Sequence, residues 1–254
     1  MTGHHTHHIL ALIPCYNEES AIQHVILQAK RHVDEILVVD DGSTDNTAAV
    51  AKAAGATVLS HPINRGKGVA IKEGFQYALQ KGYNYVVTLD GDGQHNPKEI
   101  PIVLGNLMNN GHDISLGFRH GERTEMPKWR KMGKRFLDYT TSMGNGGFVT
   151  DSQCGFRAFN QKAIQQLTPT LKEHSFGIES EQLIKAHELG LQLVNTHISC
   201  KYRDLTKTST KNPLTHGIGV FFRVMRLVAI RKARLFIGLP TLVIVSCVSY
   251  LFIF

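Results

Sequence analysis

Asp90 and Asp92 stand two positions apart in Thr88-Leu89-Asp90-Gly91-Asp92-Gly93-Gln94-His95, at the end of the apolar run Tyr85–Leu89. Like charges this close repel unless something answers them, and three readings of the pair are open. A hard divalent cation such as Mg2+ or Mn2+ prefers oxygen ligands, and two carboxylates with the amide oxygen of Gln94 form an oxygen-only set. A carboxylate pair can instead share one proton for acid/base work. The pair can also be an acidic turn, because Asp and Gly are ordinary turn residues. The cation reading carries a further implication: such an ion keeps waters and binds substrate phosphates, which points to a nucleotide ligand.

Three more polar clusters follow short apolar runs in the same way: Pro14-Cys15-Tyr16-Asn17-Glu18, Asp40-Asp41-Gly42-Ser43 and Asn64-Arg65-Gly66-Lys67-Gly68. The runs that must position them are Ile9–Ile13, Ile36–Val39, Thr57–Leu59 and Tyr85–Leu89, rich in apolar and β-branched residues, with helical stretches at Ala21–Arg31, Asp45–Ala54 and Val69–Gln80 between them. Alternation of this kind predicts a parallel sheet covered on both faces, an α/β Rossmann-like layer reaching about Gly117. Ser43 or Thr44 is expected to cap the second helix, Gly55 to end it, and Pro97 to open the next. In a sheet of this type ligands collect at the carboxyl ends of the strands. All four clusters fall there. The segment after it is expected to complete the same domain, with an element at Gly155–Phe159 and helical stretches at Gln161–Leu167 and Ile178–Leu189.

Two familiar phosphate motifs are absent. Gly66-Lys67-Gly68 fails the P-loop spacing, and no G-x-G-x-x-G follows the first run, which argues against a dinucleotide oxidoreductase. Together with Asp151-Ser152-Gln153-Cys154-Gly155-Phe156-Arg157, the clusters resemble the motifs of glycosyltransferase family 2, and within it those of dolichyl-phosphate mannosyltransferase-like enzymes, over residues 9 to 210. The family's metal motif more often has alanine between the two acids than the Gly91 found here, which leaves the ligating groups unchanged.

The resemblance implies a GT-A fold taking a nucleotide-sugar donor, GDP-mannose or a UDP-hexose. Pro14, Tyr16, Glu18, Asp40, Asp41, Lys67 and Asp90 would bind that donor. Asp90, Asp92 and Gln94 would hold Mg2+ or Mn2+ on its diphosphate, with Asp92 counted among the catalytic residues. Glu179 and Glu181 resemble family acids near the active site and read equally well as charges at a helix N-terminus. The implied acceptor is a polyprenyl phosphate such as dolichyl phosphate, the anomeric centre inverting; the alternative is a diphosphate-linked glycolipid or a polysaccharide. An acceptor phosphate is already an anion near neutral pH, so it needs cationic positioning more than a base. Arg119, Arg130, Lys134, Arg135, Arg157 and Arg203 supply cations in the second half, and Arg119, Arg135 and Arg203 rank first as catalytic.

Composition bounds the rest. With 254 residues, 42% of them hydrophobic and 19% charged, the chain can bury a sizeable core. Its formal charge of +7 is uneven: nine Lys or Arg against one acid lie from Lys201 onward, so the first 200 residues carry 19 basic and 20 acidic side chains. No nucleic-acid partner is expected from that balance. Residues 213–233 interleave Val220, Phe221, Val224 and Leu227 with Arg223, Arg226 and Arg231, the pattern of an interfacial helix. Residues 235–254 contain no charge; as a helix rising about 1.5 Å per residue they would cover the roughly 30 Å hydrocarbon layer. The expectation is a single-pass C-terminal membrane anchor whose flanking Arg231, Lys232 and Arg234 leave the catalytic domain in the cytoplasm. Residues 1–8, polar and His-rich, read as a flexible terminus without export-signal character. Cys15, Cys154, Cys200 and Cys247 have neither disulfide-framework nor zinc spacing.

Overall fold

β1 (Ile9–Cys15) pairs in parallel with both β2 (Glu35–Asp40) and β4 (Tyr85–Thr88), which makes it the centre of the chain's first half. The computed structural model describes residues 8–118, 151–175 and 177–199. β3 (Thr57–Ser60), β5 (Ile114–Phe118), β6 (Arg157–Asn160) and β7 (Leu193–His197) complete a seven-stranded sheet in the order β3-β2-β1-β4-β6-β5-β7. β1 to β5 run in one direction, as expected for the layer reaching about Gly117; β6, from beyond it, runs antiparallel to both β4 and β5. Its first residue, Arg157, pairs with Thr88 at the end of β4. The residues before β6 therefore enter at the edge where β1, β2 and β4 end.

Helices cover both faces, as residue alternation along the strands requires. Leu10, Leu12, Leu37 and Val39 pack with α3 (Lys67–Lys81), α5 (Gln161–Leu167) and α6 (Ile178–Glu188). Ala11, Ile13, Val38 and Val87 pack with α1 (Glu19–Ala29), α2 (Thr47–Ala53) and α4 (Ile100–Asn110). Phe75 on α3 meets Phe159 on β6 edge to face, ring centroids 5.0 Å apart, tying the first half to the second.

One helix start differs from the sequence expectation, and the one at Pro97 agrees with it. Neither Ser43 nor Thr44 caps α2; Asp45 accepts the Thr47 N–H at 3.0 Å and the Thr47 hydroxyl at 2.5 Å. Pro97 opens a single 3-10 turn, Pro97–Glu99, that runs on into α4. Among the described residues no helix is long and apolar enough to cross a membrane. The expected anchor at 235–254 and the interfacial helix at 213–233 lie outside the described residues.

Candidate active site

The loops after β1 and β2 are laced together before any ligand is considered. Asn17, at φ 57°, donates its N–H to Ser43 Oγ at 2.9 Å and accepts the Thr44 N–H at 2.8 Å. The Glu18 N–H donates to Thr47 Oγ1 at 2.8 Å, and Asp40 accepts the Ser43 N–H at 3.2 Å. Tyr16 and Glu18 are thus half-buried on a loop whose backbone is fixed from both sides. Pro14 ends up in a narrow cleft with Lys67, Asp90, Arg157, Glu179 and Gln182.

Lys67, the first residue of α3, is the cation at the centre of this edge. Its Nζ lies 2.5 Å from Asp90 Oδ1 and 2.6 Å from Glu179 Oε1, with 15% of the side chain exposed. The helix that delivers it begins at Gly66, where φ is 100° and where a Cβ would lie 2.0 Å from His174 O. Gly68 is equally crowded by Glu173 O and donates its N–H to His174 O at 3.0 Å. These glycines admit the 173–174 backbone, a role unrelated to a phosphate cradle. That backbone is held in turn by Glu181, whose carboxylate accepts the N–H groups of Lys172 and Glu173 at 2.8 to 3.0 Å. The two acids of α6 therefore part company: Glu179 faces Lys67 in the cleft, and Glu181 fixes a loop.

Asp90 has further neighbours. His95 Nε2 lies 3.4 Å from its Oδ2, and a Cβ at Gly155 would fall 2.5 to 2.8 Å from its carboxyl atoms. Burial would raise the Asp90 pKa, but Lys67 first and then His95 hold it well below the usual carboxylate range. Asp92 has the opposite environment. Burial and then the charge of Asp90 push its pKa up overall, against the main-chain N–H of Gln94, donated to Oδ1 at 2.9 Å, and then His95 and Lys67. Glu18 is raised to about 8, by burial, Asp92, Asp90 and Asp45 in that order. The Cys15 thiol is raised by burial and then by Glu18, Asp40, Asp90 and Asp92.

The edge therefore holds more carboxyl groups than Lys67 pairs with. That excess, carried by hard oxygen donors, fits a divalent cation, although among the described residues no three His, Cys, Asp or Glu side chains converge on one point. A two-carboxylate site completed by phosphate and water needs no third. Asp90 and Asp92 would be its ligands; Gln94 meets Asp92 through its main chain.

The remaining sequence candidates are placed as follows. Asp41 is buried and its carboxylate is occupied: Oδ1 accepts the Arg65 N–H at 2.8 Å and faces His61 Nδ1 at 2.7 Å, and Oδ2 accepts the Gly66 N–H at 2.7 Å. It anchors the loop leading to Lys67. Arg157, expected among the phosphate-binding cations, is fully buried and donates from Nε to Cys154 O, from Nη1 to Glu179 O and Gln182 Oε1, and from Nη2 to Ser152 O. Every guanidinium nitrogen is engaged, so Arg157 is a structural strut under Glu179. Arg119, Arg130, Lys134, Arg135 and Arg203 lie outside the described residues. His61 and Glu73, which escaped the sequence reading, carry no local motif, since each acts on side chains from another segment.

Comparison with known proteins gives the family. A model of glycosyl transferase family 2 matches residues 11–168. The UDP-N-acetylglucosamine–dolichyl-phosphate N-acetylglucosaminyltransferase of Methanococcus voltae is 31% identical, over 86% of this chain and 95% of that protein. The undecaprenyl-phosphate mannosyltransferase of Micrococcus luteus is 27% identical, over 78% of this chain and 85% of that one. Among solved structures, glucosyl-3-phosphoglycerate synthase from Mycobacterium tuberculosis superposes with a TM-score of 0.72 at 23% identity, over 90% of this chain and 81% of that chain, which gives a GT-A-like fold. With its strand-end motifs matched across more than half its length, the chain belongs to glycosyl transferase family 2 and is a glycosyltransferase using a nucleotide-sugar donor.

Proposed function

We propose that the chain transfers a single sugar from a nucleotide-sugar donor to the phosphate of a polyprenol such as dolichol, with Mg2+ or Mn2+ and with inversion at the anomeric carbon. The observation that carries the donor half is the acid cluster at the ligand-binding edge of the sheet: Asp90 and Glu179 on Lys67, with Asp92 and Glu18 close enough to Asp90 for the charges to be felt. The acceptor half is supported by relatives that are named as polyprenyl-phosphate sugar transferases and are covered nearly end to end.

Asp90 and Asp92 would hold the divalent cation, which when bound neutralises charge on the departing diphosphate. Lys67 adds a fixed positive charge beside Asp90, within reach of the same diphosphate. Asp40, the last residue of β2, and Glu18, just before α1, stand at the same strand-end edge, where acceptor oxygens suit the hydroxyls and N–H groups of a nucleoside. A phosphate acceptor arrives as an anion, so no side chain has to remove its proton. Its positioning is assigned to Arg119, Arg135 and Arg203. Residues 235–254 anchor the enzyme in the membrane with its catalytic domain on the cytoplasmic side, where a polyprenyl phosphate presents its headgroup.

Radiolabelled UDP-N-acetylglucosamine, UDP-glucose and GDP-mannose, offered in parallel with dolichyl phosphate and Mn2+, test this reading. The expected product partitions into organic solvent and releases its sugar in mild acid. An acid-stable product would point to another acceptor linkage, and no lipid-soluble label from any donor overturns the reading.

A further inference from the structure

His61, one residue beyond β3, is buried, and its main-chain N–H donates to Asp40 O at 2.8 Å. Its ring stands between two carboxylates: Nδ1 is 2.7 Å from Asp41 Oδ1, and Nε2 is 2.7 Å from Glu73 Oε2 on α3. A carboxylate oxygen at these distances accepts, so each contact calls for an N–H, and a neutral imidazole has only one. Both contacts are satisfied by the imidazolium. The remaining charged group at this cluster is Arg65, whose Nη1 lies 2.6 Å from Glu73 Oε1. Two acids and two bases thus balance.

What the cluster holds is backbone. Asp41, fixed by His61 on one side, accepts the N–H groups of Arg65 and Gly66, the two residues directly before Lys67. Gly66 is the N-cap of α3, and Lys67 carries the ammonium that meets Asp90 and Glu179. A chain of direct contacts therefore runs from His61 through Asp41 and the loop backbone to the acid cluster.

We propose that His61 is a positioning residue for sugar transfer: clamped between Asp41 and Glu73, it fixes the Arg65–Gly66 backbone from which Lys67 reaches the donor site. The reaction named here rests on the function proposed above; the clamp itself does not. Burial acts to lower the His61 pKa, but its hydrogen bonds to Asp41 and Glu73 and their charges raise it overall. The clamp is closed below the raised value and loosens as pH rises through it. Loosening displaces the lysine without removing it, so donor KM rises more than kcat falls.

The test uses the full chain and the variants His61→Gln and Glu73→Gln. A glutamine amide presents its donors on one side only, so it serves one carboxylate and leaves the other. Amide hydrogen exchange at Arg65 and Gly66, corrected for intrinsic rates, is expected to quicken about tenfold in His61→Gln near neutral pH, with β1 amides unchanged. In the wild type the same two amides should lose protection as pH is raised from about 6 to about 9, and His61→Gln should lack that dependence. Ring 15N shifts should report both His61 nitrogens protonated near neutral pH. In turnover assays both variants should raise donor KM about tenfold with kcat within about twofold. A neutral His61 ring, or unaltered Arg65 and Gly66 protection in the variants, overturns the clamp. Should His61→Gln fail to fold, the wild-type ring shifts and Glu73→Gln decide it. A wild-type chain that transfers no sugar to any lipid phosphate removes the proposed function, while exchange and ring measurements still rule on the clamp.

Discussion

Lys67 Nζ lies 2.5 Å from Asp90 Oδ1, so the first acid of the Asp-Gly-Asp stretch is already paired with a cation supplied by the protein. The second acid, Asp92, accepts the Gln94 N–H, and burial and Asp90 raise its pKa. The two carboxylates are alike in sequence and unlike in charge environment. One is held ionised in advance, and the other gains most from an added cation.

Replacing Lys67 should therefore cost stability as well as activity. In Lys67→Ala the carboxylates of Asp90 and Glu179 face each other across the vacated ammonium position. The expected loss is about 1–3 kcal/mol in urea unfolding, toward the lower end because 28% of the Asp90 side chain is exposed. Mn2+ should restore part of it, by mass action on the folded state. Unchanged stability in the variant would mean that the pair contributes nothing net.

Asp92→Asn should separate function from folding. The substitution keeps an oxygen to accept the Gln94 N–H and removes a charge that the fold disfavours, so stability should hold or rise by about 1 kcal/mol. Sugar transfer should fall by about a hundredfold or more, as expected when a charge-stabilising group is lost. Thermal unfolding and the radiolabel assay run on the same preparation check both halves. Retained turnover would remove Asp92 from the metal site.

Much of this arrangement is legible before folding. Strands β1 to β4 and the helices between them follow from alternating runs, and the acids after β1, β2 and β4 gather because parallel strands end at one edge. The rest depends on approach between segments far apart in the chain. β6 is four residues long and pairs with β4 across some seventy positions, so neither its direction nor its place has a local signal. The glycines at 66 and 68 announce a tight loop; that they clear His174 and Glu173 is visible only in three dimensions. Arg157 misleads for the same reason. Its charge suggests a phosphate, and its depth commits every guanidinium nitrogen to carbonyl and amide oxygens.

Asp113 predicts how stability varies with pH. It is buried at the start of β5 and accepts from the Gln192 N–H at 3.0 Å, Asn160 Nδ2 at 2.9 Å and Lys162 Nζ at 3.0 Å, which joins β5 to its neighbours β6 and β7. Burial acts to raise its pKa, but these donors, the Gln192 N–H foremost, lower it overall. A depressed folded pKa contributes stability that is present above the unfolded value and lost as pH falls through the folded one. Asp113→Ala should thus cost about 1–3 kcal/mol at neutral pH, and the gap to wild type should narrow below about pH 4. Lys162 adds little to this figure, because its side chain is 56% exposed. Chemical denaturation across that pH range is the check, and a gap independent of pH would assign the loss to packing alone.

Gly155→Ala should disturb Asp90 with little effect on the sheet. The added methyl would lie 2.5 Å from Asp90 Oδ1 and 2.6 Å from Oδ2, so the carboxylate must rotate or shift, and with it the contact to Lys67. The strand pairing between Thr88 and Arg157 has no need to move, since the clash is with a side-chain end. Mn2+ affinity, read by calorimetry on the full chain, should fall about tenfold, and donor KM should rise in step, while unfolding shifts by less than about 1.5 kcal/mol. Gly155→Ser should behave no better, because its hydroxyl starts from the same Cβ. If either variant binds Mn2+ like the wild type, Asp90 tolerates displacement and the cation does not depend on the position that Gly155 leaves open for it.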